Sequence, residues 1–301
     1  MANMSAARLC VICGTNPSGH RGEHVWPQWL LRRMDQQGPP PFLWAKNGVP
    51  IVGRDGKPVR HTIRQRVLLD VCEPCNAALN ARFEVPAKPV VGVLALNGWQ
   101  GVRSQAEWHA VGMWWAKVIL MLGHPKARIG DALLDREART AFDGPLPDYT
   151  WMVDGSGPPS DLSVFVHNAD LSLPTHRVFR LAVPASVLHD DGTTTHCQTL
   201  SLATPGLCVT VVNHPGITID HPLVKRGHGW ELLHSPPSVG DLSALPAMSH
   251  KHVLLIRGGG MPAGHVVDES DFSFLAGVFG TDPGSEPAAG EGSDPDGGVL
   301  P

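Results

Sequence analysis

The sequence contains no long run of apolar residues. Its longest apolar stretch, from Trp114 to Leu122, is interrupted by Lys117 and is shorter than the roughly 20 residues that cross a bilayer. Residues 1–9 likewise contain no apolar stretch and no cleavage pattern of a secretory signal. The sequence therefore predicts a soluble globular protein without a membrane segment, located in the reducing cytoplasm.

The chain also lacks a phosphate-binding loop, because no Lys-Ser or Lys-Thr pair follows Gly258-Gly259-Gly260. Several histidines of the second half have neither cysteines nor acids around them and stand in turn-rich sequence. We expect these to be ordinary surface residues, although a metal held by the last two is an alternative: His214, His221, His228, His234, His250 and His252. Two isolated cysteines, Cys197 and Cys208, are expected to be buried or inert thiols.

Only six cysteines occur, and four of them form two C-x-x-C pairs, Cys10 with Cys13 and Cys72 with Cys75. Zinc prefers four soft ligands in a tetrahedron, and each C-x-x-C turn presents two sulfurs on one tight backbone knuckle. Disulfides or loose thiols are the alternative, but a reducing compartment argues against disulfides. The spacing therefore predicts one structural zinc ion, with residues 14–71 inserted between the two knuckles.

Charge is scarce in the chain, at 17% of residues, and it is unevenly distributed. Residues 1–90 carry twelve lysines and arginines against six acids, a net charge of +6, whereas residues 91–301 carry twelve against 22, a net charge of −10. A basic, arginine-rich lobe suits a phosphate backbone, and an acidic one does not. The first 90 residues are thus predicted to bind nucleic acid, with a merely solvated basic surface as the alternative.

Polar residues with hydrolytic potential stand next to the cysteines: Glu23-His24 lies between the two pairs, and Asn76 directly follows the last cysteine. Cleavage of a phosphodiester needs a base that deprotonates water and a hard cation beside the phosphate. The imidazole of His24 can accept the proton, and the oxygens of Glu23 and Asn76 can hold Mg²⁺ or a similar ion. His24 could instead cap a turn or act as a further zinc ligand.

A helix is predicted from Glu73 to Glu84, with Pro74 tolerated in its first turn because proline lacks only an amide that would be unpaired there. Asn80 and Glu84 follow Asn76 by four and eight residues. At helical spacing they share its face, which makes them weaker candidate ligands for the same divalent ion.

The rest of the chain predicts an α+β protein. Ser104 and Glu107 form a capping box, and apolar residues then recur at helical spacing up to Gly123, so we expect a helix with Trp114 and Trp115 in the core. From about residue 150, short β-branched runs alternate with Pro/Gly turns, which indicates strands near 163–167, 178–183, 194–202 and 207–212. The expected divisions are a zinc domain at 1–90, a helical connector at 91–148, a mostly β domain at 149–279 and a disordered acidic tail at 280–301.

The first 90 residues resemble the zinc-stapled HNH endonucleases, particularly bacterial and phage HNH-like proteins. The resemblance covers about residues 8–90 and rests on five motifs: Cys10-x-x-Cys13, Glu23-His24-Val25-Trp26-Pro27-Gln28-Trp29-Leu30, Val71-Cys72-Glu73-Pro74-Cys75-Asn76, Arg82-Phe83-Glu84 and Lys88-Pro89. It implies the treble-clef, ββα-metal fold, a metal-dependent endonuclease activity on DNA, His24 as general base, and Glu23 and Asn76 as ligands of the catalytic ion.

One family feature has no direct counterpart. These domains usually carry a middle Asn or His shortly before the second cysteine pair, and residues 64–70 contain neither, so Gln65 or Asp70 would have to replace it. A non-catalytic treble-clef zinc module that binds nucleic acid or protein is therefore the alternative function.

Overall fold

The protein combines helices with small sheets in a computed structural model that describes residues 8–18, 22–30, 45–46, 49–50, 67–129, 132–133, 147–169, 179–188, 191–204, 206–219, 221–247 and 266–267. The predicted α+β class is confirmed by the order of these elements along the chain. The expected tail at 280–301, together with Gln65, His250, His252 and Gly258-Gly259-Gly260, lies outside the described residues.

The N-terminal part contains short strands. A four-stranded sheet has the order β1-β4-β6-β7, formed by Glu23–His24, Val67–Leu69, Arg128–Ile129 and Ala132–Leu133. Its neighbouring strands are antiparallel. A separate hairpin pairs β2, Ala45–Lys46, with β3, Val49–Pro50.

The helix that begins after Cys72 is longer and less regular than predicted. α1 spans Glu73–Leu79, a π-helical turn spans Asn80–Glu84, and α2 spans Val85–Leu94. The predicted start at Glu73 is confirmed, and Pro74 occupies the first turn. The π turn inserts a wider i→i−5 ring, so residues after Asn80 leave the face that a continuous α-helix would give them.

The central helix α3, Gln105–Gly123, confirms the predicted capping box. The side chain of Ser104 accepts from the Glu107 amide, and the Glu107 carboxylate accepts from the Ser104 amide. Trp114 and Trp115 are buried as expected, and Trp26 packs edge-on against both rings. In front of the helix, β5, Arg103–Ser104, pairs with β13, Val239–Gly240.

The second half contains a six-stranded sheet of order β12-β8-β11-β10-β9-β14. Four of its strands confirm the predicted ones within a few residues: β8 Leu162–His167, β9 Phe179–Leu188, β10 Thr194–Thr204 and β11 Leu207–Asn213. The two edge strands are short, namely β12, Trp230–Glu231, and β14, Val266–Val267, which is parallel to β9. The remaining short helices are α4, Trp151–Asp154, α5, Pro222–Lys225, and a 3-10 turn at Leu242–Ala244.

The two faces of this sheet differ in chemistry. One face of β8 and β11 contributes alternate aliphatic residues to the apolar core that includes α3: Leu162, Val164, Val166, Leu207, Val209 and Val211. The opposite face of β8 carries Ser163, Phe165 and His167, and it too is buried. β8 is therefore covered on both faces.

Histidines from residues 214–221 cover that second face. His214 is buried, with Nε2 2.9 Å from Ser163 Oγ and Nδ1 2.6 Å from the Ile217 carbonyl oxygen. The His221 ring lies 4.6 Å from the Phe165 ring and 4.8 Å from the His167 ring, centre to centre. The expectation that His214 and His221 are ordinary surface residues is wrong, because His214 is buried and the half-buried His221 packs its ring against those of Phe165 and His167. Cys197 and Cys208 are buried, as predicted.

Gly112 permits close packing between α3 and the residue after β12. A Cβ at this position would lie 2.5 Å from Leu232 Cβ and 2.9 Å from the Leu232 carbonyl oxygen. Gly→Ala inside a helix usually stabilises by about 0.5–1 kcal/mol, but overpacking costs about 1–3 kcal/mol. We therefore expect Gly112→Ala to lower the urea midpoint. Gly157→Ala, where an added methyl meets nothing within 4 Å, should leave it unchanged; a raised midpoint for Gly112→Ala would contradict this packing.

Within the ranges described, none of the helices combines the length and apolar character needed to cross a bilayer. The long helix α3 is apolar because it is the core of the fold, and twelve of its residues besides Lys117 are buried. Its hydrophobicity is thus explained by packing against the sheet and against α2.

Candidate metal centre and adjoining site

The first cysteine knuckle is a tight turn closed by backbone hydrogen bonds. The Cys10 amide donates to the Asn16 carbonyl at 2.8 Å, and the Gly14 amide donates to the Cys10 carbonyl at 2.9 Å. Gly14 has a φ of +67°, a conformation that glycine adopts without strain. This geometry turns the Cys10 and Cys13 side chains to the same side of the knuckle.

The second knuckle is the start of α1. Cys72 is the N-cap residue, Cys75 lies in the first turn, and the Asn76 amide donates to the Cys72 carbonyl at 2.9 Å. The partial positive charge of a helix N-terminus favours thiolates at these positions. The Val11 amide donates to the Asp70 carbonyl at 2.8 Å, which joins the first knuckle to the segment that enters the second.

The four sulfurs converge. Their atoms all lie within 4.8 Å of one another, and Cys13 Sγ is 3.9 Å from Cys72 Sγ. A zinc ion with Zn–S bonds of about 2.3 Å places neighbouring sulfurs about 3.8 Å apart. The cluster therefore fits a tetrahedral zinc ion, and the four cysteines form a possible metal-binding site consistent with structural zinc.

The thiols differ in their electrostatic environment. Burial raises the pKa of Cys10 and of Cys75. Hydrogen bonds from the Thr15 hydroxyl and from the amides of Asn16 and Thr15 lower the pKa of Cys13 to about 5. Such donors stabilise a thiolate, and a bound cation deprotonates the remaining thiols.

Glu23 and His24 form β1 and pair with β4 at a fixed register. Glu23 lies opposite Leu69 and His24 opposite Leu68, and both side chains are half-buried. The preceding Gly22 has a φ of +70°, and a Cβ there would approach both the Arg128 guanidinium and the Leu69 carbonyl oxygen at 3.0 Å. Only glycine fits this entry into β1 without strain.

A charged cluster that the sequence analysis did not identify lies beside Glu23. Lys117 of α3 is buried, and its Nζ donates to Glu84 Oε1 at 2.6 Å. Burial raises the pKa of the Glu23 carboxyl, the Lys117 ammonium opposes that shift, and the Glu84 carboxylate adds to it. Two acids and one lysine, from β1, the π turn and α3, are therefore close enough to influence one another.

The other candidate residues have different surroundings. Asn76 is half-buried in the first turn of α1, while Asn80 is exposed. Asp70, a possible replacement for the family's middle residue, is buried and accepts from Arg128 Nη2 at 2.9 Å, with Arg8 Nη1 3.6 Å away. The Asp70 carboxylate thus forms ion pairs with Arg128 and Arg8 next to the first knuckle.

The partly exposed Arg82 is engaged in contacts within the protein. Its guanidinium donates to the carbonyl oxygens of Trp151 and Ser156 and lies over the Phe83 and Trp151 rings. These contacts hold the π turn against α4. Arg82 is therefore unsuited to a phosphate contact.

The buried pair of Lys117 and Glu84 yields a stability prediction. Lys117→Met leaves the carboxylates of Glu23 and Glu84 near each other in a largely buried environment, without the lysine that neutralises them. Removing one partner of a buried ion pair costs about 3–5 kcal/mol of stability. We expect a large fall in the urea midpoint, which Lys117→Met combined with Glu84→Gln should largely restore. Arg8→Met removes an exposed partner of Asp70 and should cost under about 1 kcal/mol. Equal losses for the single and double variants would show that the lysine stem alone is responsible.

The structure thus brings together the four cysteines, and it places Glu23, Glu84 and Lys117 in a second group beside His24. Lys117 was recognisable in the sequence only as the one charge within the apolar stretch Trp114–Leu122. No family model, curated protein or solved structure matches the chain. Functional conclusions therefore rest on these residues and their contacts.

Proposed function

We propose that residues 1–90 form a zinc-stabilised HNH-type endonuclease domain of the treble-clef, ββα-metal type, which hydrolyses phosphodiester bonds in DNA. The observation that carries the proposal is the pairing of β1, which holds Glu23 and His24, with β4. β4 leads into Cys72 and α1, so two strands and one helix meet at the four-cysteine cluster. A Glu-His strand beside a Cys-x-x-Cys-Asn helix start is the arrangement that the family resemblance implies.

In this proposal His24 acts as the general base. Its imidazole takes a proton from the attacking water, a contribution of about 10² to 10⁴ in rate. The β1–β4 register fixes the strand that carries it, and the packing of Trp26 against α3 fixes the turn that follows. The zinc ion has a structural role, because four thiolates leave no open position for water or substrate.

Glu23 and Asn76 are the proposed ligands of a hard divalent ion such as Mg²⁺. Glu23 suits this role because burial and the neighbouring Glu84 both raise its pKa, and a bound cation would relieve both effects. Glu84 is less suited as a ligand than Glu23, since its Oε1 already accepts from Lys117. When bound, such an ion neutralises charge on the scissile phosphate and on the leaving oxygen.

The proposed partner is DNA, bound through the basic N-terminal lobe. The net charge of +6 in residues 1–90 supports this, and the net charge of −10 elsewhere repels a phosphate backbone. Arg82, and in part Arg8, are engaged within the protein. The phosphate contacts are therefore assigned to the other basic residues of the lobe, and binding should weaken steeply with salt.

Incubation with supercoiled plasmid tests the proposal. Zinc-loaded protein should nick the plasmid when Mg²⁺ or Mn²⁺ is present and should leave it intact in a metal-free buffer. The zinc content must be measured in both samples, because a chelator that strips zinc would stop cleavage by unfolding the domain. Plasmid that is bound but never nicked, with every divalent ion supplied, would refute the nuclease.

A non-catalytic treble-clef module that binds nucleic acid or protein is the second candidate. It is favoured by the ion pair between Glu84 and Lys117, which makes part of the charged cluster structural. It is favoured also by Asp70, whose carboxylate is engaged by Arg128 and does not replace the family's middle residue. In that case Glu23 and His24 stabilise the local turn and have no catalytic role. His24→Ala would then change only the stability of the protein.

A further inference from the structure

On the second face of the six-stranded sheet, a buried and a half-buried histidine each have one buried ring nitrogen without a hydrogen-bond partner among the described residues. His167, on β8, has no exposed surface, and its Nε2 is buried without a hydrogen-bond partner in the described parts of the chain. The same is true of Nδ1 of His221, which precedes α5. The two rings are neighbours, with centres 4.8 Å apart and planes inclined by 37°.

The tautomer of His167 is fixed by the backbone. Its Nδ1 lies 3.0 Å from the His228 carbonyl oxygen, and a carbonyl can only accept, so Nδ1 carries the proton. Nε2 is then the nitrogen with the lone pair. A histidine that donates one ring N–H to a backbone carbonyl and presents the other nitrogen has the usual orientation of a metal ligand.

The backbone at Gly229 packs closely against the ring of His167. At Gly229 an added Cβ would lie 2.3 Å from His167 Nδ1 and 2.8 Å from the Val166 carbonyl oxygen. The chain at 228–229 thus packs directly against the Nδ1 side of the ring. This packing, together with the hydrogen bond to the His228 carbonyl oxygen, favours the observed orientation of the ring.

Both imidazoles are held in the neutral form that a metal requires. Burial lowers the pKa of His167 to about 4. Burial, with the charge of the adjacent His167, lowers the pKa of His221 to about 3. Neither group is protonated near neutral pH, so protons do not compete for the two lone pairs there.

These two unpaired nitrogens, in neighbouring rings, are costly, since each buried polar group without a partner costs about 1–3 kcal/mol. We propose that His167 Nε2 and His221 Nδ1 together bind a transition-metal ion of the zinc class, at a second site that is separate from the four cysteines. Imidazole nitrogen is a preferred ligand of such ions, and two imidazoles on one tetrahedral ion with bonds of about 2.1 Å have centres about 5 Å apart. The observed 4.8 Å agrees with this spacing.

The site differs from the cysteine cluster in strength. Among the described residues, the four cysteines are the one group of three or more convergent metal-ligating side chains, so the histidine pair supplies two ligands. With only two protein ligands, the ion binds more weakly than at four thiolates. The pair therefore takes up a second equivalent of zinc only after the first has filled the cysteines.

Nitrogen NMR of the imidazoles, on full-length protein that already holds its first zinc, tests the proposal with Zn²⁺ as the probe. Wild type should bind one further equivalent, and the same addition should shift His167 Nε2 and His221 Nδ1. His221→Phe should weaken that binding by more than the roughly 10- to 100-fold that loss of an outer-shell partner costs. A chelator competition measures the affinity, and melting curves confirm that the variant is folded.

His214→Asn is the matched control. His214 is buried on the same face, but both of its ring nitrogens already have partners, Ser163 Oγ and the Ile217 carbonyl oxygen. This variant should keep the second equivalent. If His221→Phe misfolds, His221→Gln and His167→Gln replace it. No shift of the two nitrogens in wild type, or an unchanged affinity in the folded His221 and His167 variants, would overturn the proposal.

Discussion

Replacing Cys72 with serine is expected to abolish zinc binding and unfold residues 1–90. Zinc held by four thiolates contributes on the order of 10 kcal/mol or more to the folding of a small domain, which exceeds the total stability of many domains. Cys72 is central to the cluster, since its sulfur lies 3.9 Å from that of Cys13 and accepts from the Asn16 side chain at 3.8 Å. It is also the N-cap of α1.

Cys197→Ser is the matched control for this change. Cys197 is also buried, at 4% exposure, but it stands in β10 outside the cluster. An added hydroxyl there costs about 1–3 kcal/mol and should leave zinc content at the wild-type level. Limited proteolysis and circular dichroism would measure the loss of structure. Equal zinc content and equal protection of residues 1–90 in wild type and Cys72→Ser would show that the cysteines do not hold the domain together.

His24→Ala is expected to abolish DNA cleavage while zinc content, folding and DNA binding stay close to wild type. In the proposed mechanism the imidazole only accepts a proton, and loss of such a base costs about 10² to 10⁴ in rate. The backbone of β1 keeps its register with β4 in this variant, because the side chain takes no part in the strand pairing. Higher Mg²⁺ or Mn²⁺ should not restore the activity.

Asn76→Ala provides the comparison. Asn76 follows Cys75 but is not one of the four thiolate ligands, and its proposed role is to hold the divalent ion. Its loss should raise the metal concentration that cleavage requires, so excess metal should restore part of the rate. A nicking time course for wild type and both variants measures the difference. Cleavage by the His24 variant at the wild-type rate would mean that the activity comes from another group.

Elements defined by local signals were predictable from the sequence. α3 follows from the capping box of Ser104 and Glu107 and from helical apolar spacing, and the strands follow from β-branched runs between turns. The cysteine cluster was predictable from the two C-x-x-C turns. Each turn places its own two sulfurs together, and zinc requires four ligands, so the two turns are expected to meet.

Features that depend on tertiary packing were not predictable. Lys117 interrupts an apolar stretch in the sequence, and only the fold shows that Glu84 neutralises it. The π turn at Asn80–Glu84 has no compositional signal, yet it contains Glu84, the partner of Lys117. His214 and His221 resemble surface histidines until the loop that carries them covers β8. The environment of each of these residues depends on an element that is distant in the sequence. Local propensity does not show which distant element will pack against it.

The coordination shell of the bound metal tests the account most directly. X-ray absorption at the zinc edge, on chelator-washed protein that contains one zinc per chain, should show four sulfur neighbours at about 2.3 Å and no nitrogen. That result would place the ion among the four cysteines and leave the His24 imidazole available to act as a base. Protein without zinc, or a shell in which an imidazole that disappears in His24→Ala has replaced a sulfur, would contradict the account.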